Sequence, residues 1–171
     1  MKGFVQVYTG NGKGKTTAAL GLALRAVGAS KKVYFAQFVK GKTYAEIEAV
    51  NEFLPDITIE QYGLGCFIVK EPTQHDIEAA RKGLAEVTKI IESGEYDLVI
   101  LDEANIALYY KLFSVQALLK TISKKPENTE LIITGRYAPQ EIIDVADLVT
   151  EMKEIKHYYQ NGIEARKGIE Y

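Results

Sequence analysis

Nine consecutive residues carry the densest chemistry in this chain: Thr9-Gly10-Asn11-Gly12-Lys13-Gly14-Lys15-Thr16-Thr17. Glycines at this density let successive backbone N–H groups turn toward one point, which makes a cradle for phosphate oxygens. A strand-like segment precedes the loop and a helical pattern follows it, the context that gives a Walker A match its meaning. The positive end of that helix reinforces the anion site. Lys15 supplies a mobile charge for the phosphates, and the Thr16 hydroxyl is the expected Mg²⁺ ligand. Gly10, Asn11, Gly12, Lys13, Gly14, Lys15, Thr16 and Thr17 together form the expected binding loop for a nucleoside triphosphate. The common motif has four residues between its first glycine and the Gly-Lys pair. Here only Asn11, Gly12 and Lys13 separate Gly10 from Gly14, and Thr9 stands at the first-glycine position.

A second constellation is Leu98-Val99-Ile100-Leu101-Asp102-Glu103, an apolar run ending in two carboxylates. Ligands of open α/β sheets bind beyond the carboxyl ends of strands, where this pair falls. Asp102 is placed to hold Mg²⁺, directly or through water, because that ion takes one or two carboxylates plus phosphates and waters. Glu103 suits the metal, a water or a ribose hydroxyl. Arg136, in Thr134-Gly135-Arg136, ends another strand and should point into the same crevice. Arg25 lies about two and a half turns beyond Lys15 on the following helix. Either arginine can grip a phosphate bidentately or stand solvated at the surface.

The elements that must position these groups alternate along the chain. Expected strands are Phe4–Tyr8, Lys32–Phe38, Ile57–Gln61, Leu98–Leu101, Glu130–Thr134 and Leu148–Ile155. Expected helices are Lys15–Val27, Tyr44–Phe53, Thr73–Ser93, Val115–Ser123 and Pro139–Val145. The long helix carries Ile77, Ala80, Leu84, Val87, Ile90 and Ile91 on one face. Near-continuous Val/Ile/Leu runs indicate strands covered on both faces. The class is α/β, a three-layer P-loop fold with a mostly parallel central sheet, and residues 1–171 form one domain.

Composition narrows the function classes. The 171 residues are 47% hydrophobic and 26% charged, with a net charge of −2. No basic stripe suggests nucleic acid. No stretch approaches the ~18 apolar residues of a membrane span, and no signal peptide is apparent. A cytoplasmic location is expected. The lone cysteine, Cys66, rules out an intrachain disulfide and reads as a small buried hydrophobe. His75 opens a helix and His157 sits in the tail; each reads as structural or solvated. From the residues alone, a kinase or ATPase and a non-catalytic nucleotide sensor both stay open. The lack of an arginine-rich lid counts against a kinase.

The assembled motifs resemble the ATP:corrinoid adenosyltransferases of the P-loop, RecA-like type. The shortened Thr9–Thr17 loop matches that family's Walker A variant. Further matches are Gln37-Phe38-Val39-Lys40-Gly41, Leu101-Asp102-Glu103 and Thr134-Gly135-Arg136-Tyr137-Ala138-Pro139. The tail matches through Ala146-Asp147-Leu148-Val149-Thr150-Glu151-Met152, Lys156-His157, Gly162-Ile163 and Lys167-Gly168-Ile169-Glu170-Tyr171. The resemblance implies transfer of the 5′-deoxyadenosyl group of ATP to a cobalt(I) corrinoid, with triphosphate released. ATP would lie with its polyphosphate reversed relative to common P-loop enzymes. Asn11 to Thr17 would hold the triphosphate, Arg25 and Arg136 would add charge, and Glu103 would contact the ribose. Lys15, Arg136 and Glu103 are thus the expected catalytic groups. A homodimer, and transient contact with an electron-donating reductase, are also expected.

One stretch departs from the family pattern. The family commonly places Phe and Trp two apart after a glycine pair, to displace the lower ligand of cobalt. This chain reads Gly63-Leu64-Gly65-Cys66-Phe67-Ile68 and contains no tryptophan. Phe67 and Ile68 are the residues expected to wall an apolar pocket against the corrinoid. Tyr109 and Tyr110 either pack over the corrinoid or fill the core.

Overall fold

Period-two alternation of apolar side chains, read strand by strand, divides the core into two layers. In a computed structural model that describes residues 2–41, 44–65 and 71–170, six strands form one parallel sheet among the described residues. They are β1 (Val5–Thr9), β2 (Val33–Gln37), β3 (Ile57–Gln61), β4 (Leu98–Asp102), β5 (Glu130–Thr134) and β6 (Leu148–Glu151), in spatial order β3-β2-β4-β5-β1-β6. The helices are α1 (Lys15–Gly28), α2 (Ala45–Phe53), α3 (Gln74–Ser93), α4 (Ala104–Tyr109), α5 (Val115–Ile122) and α6 (Gln140–Asp144). The class is α/β as expected, and the strand pairs are parallel throughout rather than mostly so.

Val33, Phe35, Leu98, Ile100 and Ile132 face one layer with Ala19 and Ala23 of α1. Tyr34, Ala36, Val99, Leu101, Leu131 and Ile133 face the other, packed on Ala80, Leu84, Val87 and Ile91 of α3. Small residues on α1 let its axis approach the sheet closely. α3 starts on a capping box, with Thr73 and Asp76 each accepting the other's backbone N–H, and stops at Gly94 in the left-handed region. Both devices satisfy helix-end groups that have no intrahelical partner.

Two expectations change. β6 ends at Glu151, not Ile155. Its neighbour β1 ends at Thr9, so the ladder stops there, and the chain past β6 binds the loop instead: Gly12 N–H donates to the Met152 carbonyl at 2.6 Å. β6 is also an edge strand with all four residues exposed, unlike its neighbour β1, of which no residue is exposed. The other change is α4, which no periodicity announced. It is six residues long with Ala104, Asn105, Ala107 and Leu108 buried, too short and too buried to show an amphipathic face.

Candidate active site

The sheet register sets the site. Gln37 pairs with Asp102 across β2 and β4, and Thr134 ends β5 beside them. Alternation turns all three side chains toward α1, and all are fully buried. Asp102 Oδ1 accepts the Thr134 hydroxyl at 2.7 Å and the Thr16 hydroxyl at 2.9 Å. Its Oδ2 accepts from Gln37 Nε2 and from Lys40 Nζ, each at 3.2 Å. Four donors on one carboxylate fix the first turn of α1 to the centre of the sheet.

Above this floor the loop turns on glycines. Gly10 (φ 92°) and Gly14 (φ 115°) lie in the left-handed region. A Cβ on Gly10 or Gly12 would also come within 2.5–2.6 Å of the Met152 carbonyl oxygen. Lys15 is buried, and its Nζ donates to the Gly10 and Gly12 carbonyls at 2.8 and 2.7 Å. Burial lowers the Lys15 pKa, and nearby Arg136 and Lys40 push the same way against the pull of Glu103 and Asp102. Burial acts downward on Lys40 also, but Asp102 and Glu103 outweigh it and leave that ammonium above its ordinary range. Glu103 is raised, by burial first and by Asp102 second.

A cleft of about 750 Å³ opens over the loop, within the ~300–1,000 Å³ range of small-molecule sites. The structure brings Gly12, Lys13, Gly14, Lys15, Thr16, Thr17, Glu103 and Arg136 to its walls. Asp102 lies just beneath, bonded to Thr16. Gly10 and Asn11 form the outer bend of the loop and do not line it. Arg25 is not brought to this group: it lies in the exposed last turn of α1. Ten residues at ~1.5 Å rise put it about 15 Å down the axis from Lys15. There it complements the helix C-terminus and acts electrostatically on Tyr8. Phe67, Ile68 and Cys66 lie outside the described residues.

Backbone strain gathers at this cleft. Val39 (φ 67°), Glu103 (φ 58°) and Tyr137 (φ 61°) are non-glycine residues in the left-handed region, and all three line it. Such conformations persist only where the surroundings enforce them, and they concentrate at functional sites.

Several wall residues carried no assigned role in the sequence reading. Lys40 follows the carboxyl end of β2, and the strand-end rule applied to β2 as it was to β4 points to it. The tail is the larger omission. Lys13 Nζ donates to the Ile169 carbonyl at 2.6 Å, to Glu170 Oε1 at 2.8 Å and to the Tyr158 hydroxyl at 3.2 Å. The hydrogen bond from Lys13 holds the Glu170 carboxyl below its usual range. Tyr158 also contacts Glu170, and Gly168, Ile169, Glu170 and His157 line the cleft. Tyr109 and Tyr137 stack with ring centroids 4.5 Å apart at its rim, 56% and 49% exposed. Tyr109 is therefore not core filler; Tyr110 sits against it edge-on and packs on the core.

No three His, Cys, Asp or Glu side chains cluster as a metal cage among the described residues. Among those residues, no helix is long and apolar enough to cross a membrane.

Comparison with known proteins covers the whole length of the chain. The family model for the ATP:corrinoid adenosyltransferases BtuR/CobO/CobP matches residues 1–171. A corrinoid adenosyltransferase of Pseudomonas aeruginosa is 34% identical over 171 residues, covering 99% of this chain and 84% of that protein. One from Sinorhizobium is 36% identical over 174 residues, covering 99% and 81%. One from Escherichia coli is 34% identical over 171 residues, covering 99% and 86%. With its shortened phosphate loop, paired carboxylates and tail motifs in the family's order, this chain belongs to the ATP:corrinoid adenosyltransferases, transferases that move the adenosyl group of ATP to a corrinoid.

Proposed function

We propose that residues 1–171 act as a single adenosyltransferase domain that seats the triphosphate of ATP on Gly12–Thr17 and treats it as the leaving group. The observation that carries this reading is the convergence of Lys13, Lys15 and Arg136 on one cleft that also holds Glu103. Cobalt(I) of the substrate corrinoid is a strong nucleophile and needs no general base. Its electron pair forms the bond to the ribose 5′ carbon, the C5′–O bond breaks, and that bond's pair departs with triphosphate. Lys15 and Arg136 stabilise the charge that develops there, the kind of preorganised electrostatics that dominates many enzymatic rate enhancements. Glu103, aimed into the cleft by its left-handed backbone, holds a ribose hydroxyl and so keeps the 5′ carbon in line.

The donor set fits Mg²⁺: a buried carboxylate and a hydroxyl, all hard oxygen, completed by phosphate oxygens. Thr16 and Asp102 would hold the ion, which would neutralise part of the triphosphate charge. The exposed Tyr109–Tyr137 pair gives the cleft mouth an apolar ring surface for the flat corrin. A cytoplasmic homodimer whose corrinoid substrate is brought to cobalt(I) by electrons from a transiently bound reductase completes the reading; light scattering after gel filtration tests the dimer. The deciding experiment is product analysis with Mg-ATP and anaerobically reduced corrinoid. A carbon–cobalt product with stoichiometric triphosphate is expected. ADP with phosphate in its place overturns the reading.

A further inference from the structure

Lys40 is a charged side chain only 8% exposed, and the scheme above gives it no part. It stands three residues past β2 and reaches back under the cleft. Its Nζ lies 3.2 Å from Asp102 Oδ2 and 3.3 Å from Thr16 Oγ1. These are the two groups assigned above to the metal. The Thr16 hydroxyl spends its proton on Asp102 Oδ1, so the lone pair facing Lys40 is the one a metal would use. Ammonium and divalent ion therefore compete for the same oxygens.

Of the four donors on Asp102, Lys40 is the one free to leave. Gln37 and Thr134 are fully buried on strands, and the Gln37 side-chain oxygen Oε1 accepts from Gln61 Nε2 at 2.9 Å. Thr16 belongs to α1. Lys40 instead sits on a flexible four-carbon stem and lines the cleft. Its backbone is held tightly while its head can move. Val39 before it is β-branched yet has φ 67°, a genuine outlier for that residue type. Lys40 N–H closes a tight turn on the Phe38 carbonyl at 2.7 Å. A Cβ added to Gly41 would lie 2.4 Å from the Gly63 oxygen, and one on Gly63 would lie 2.4 Å from the Val39 carbonyl carbon. The two loops thus clamp the lysine over Asp102.

We infer that Lys40 is the resident cation of the metal position: it neutralises Asp102 until metal and triphosphate arrive together, then transfers its ammonium to the triphosphate. This rests on the reading that Thr16 and Asp102 hold the metal. It makes metal binding depend on nucleotide, since the metal alone meets an already neutralised carboxylate.

Manganese titration of the full chain, followed by the electron paramagnetic resonance signal of free Mn²⁺, tests this for the wild type, Lys40→Met and Lys40→Arg. Without nucleotide, the wild type and Lys40→Arg should bind Mn²⁺ weakly. Lys40→Met should bind it more tightly, by a factor in the roughly 5–150-fold range of site–site couplings, and should melt at a higher temperature with Mn²⁺ added. If Lys40→Met does not stay folded alone, rescue by Mn²⁺, and not by sodium at equal ionic strength, supports the inference; no rescue overturns it. Unchanged Mn²⁺ affinity in folded Lys40→Met, beside metal-dependent ATP binding in the wild type, overturns the inference alone. Wild-type ATP binding that is equal in Mn²⁺ and in EDTA removes the metal position, and the inference with it.

Discussion

The phosphate loop is held from below and from above by contacts of opposite character. Below, Asp102, Thr134 and Gln37 are fully buried on adjacent strands, and the Thr16 hydroxyl is tied to them. Above, Glu170 and Tyr158 of the tail meet Lys13, whose side chain is 40% exposed. The lower grip is set by strand register and cannot shift without disturbing the sheet. The upper grip is an ionic contact open to water, where charges are screened and exchange is easy. The fold thus keeps one side of the cradle rigid and leaves the other side replaceable by a polyanion.

The widest separation between the two grips should appear in stability. Asp102→Asn removes the carboxylate that pairs directly with the buried Lys40 ammonium at 3.2 Å, and breaking a buried pair in this way costs about 3–5 kcal/mol. Chemical denaturation should show that loss, and a change under about 1 kcal/mol would mean that water already reaches the network. Catalysis should separate them next. Lys15→Ala removes a charge aimed at the leaving group and should lower kcat/KM by roughly 10²–10³, the cost of deleting one preorganised donor. A defect confined to KM would show that Lys15 grips ground state and transition state alike.

Glu103 lies between the regions and ties stability to pH. Burial and Asp102 raise its carboxyl, so the folded chain binds that proton more tightly than the unfolded chain. Stability therefore falls as pH rises from the ordinary carboxylate value near ~4.3 through the raised folded value, and the penalty is complete above both. Glu103→Gln should melt higher than the wild type at neutral pH, with the gap closing as pH drops below the ordinary value. The same variant should lose about 10–100-fold in kcat/KM, since a hydrogen bond to a charged group contributes about 1.5–3 kcal/mol. Gain in stability with loss of activity identifies a group strained for function; equal melting curves across pH would deny the strain.

Half of the lower grip was readable from the sequence: Thr16 and Asp102 announce themselves locally, whereas Gln37 and Thr134 stood only within matched motifs until the strand register brought them onto the Asp102 carboxylate. Glycine spacing marks Gly10–Gly14, and an apolar run ending in two carboxylates marks Asp102 and Glu103. Arg25 shows the limit of that reading: the family resemblance gave it a place at the triphosphate, while helix rise carries it away from the cradle. The upper grip depends on contacts no local pattern encodes. Lys13 meets Ile169 across 156 residues of sequence, and the tail that makes the contact has no hydrophobic period. α4 was hidden for the opposite reason, since four of its six residues are buried and it is too short to show a polar face. Lys40 was visible as part of a matched motif, but only the register of β2 against β4 reveals what it faces.

The smallest expected effect belongs to the tail. Glu170→Gln removes the carboxylate that Lys13 holds and leaves every buried contact of the lower grip untouched. Melting should scarcely move, because the contact is solvated and screened. The change should appear in ATP affinity, since Lys13 no longer has to leave a carboxylate before meeting phosphate. KM for ATP should fall modestly at low salt, and the difference from wild type should shrink as ionic strength rises and the Debye length contracts to ~8 Å near 0.15 M. A rise in KM that persists at high salt would reverse the assignment. The tail carboxylate would then order Lys13 for the phosphate, and the upper grip would be as preorganised as the lower.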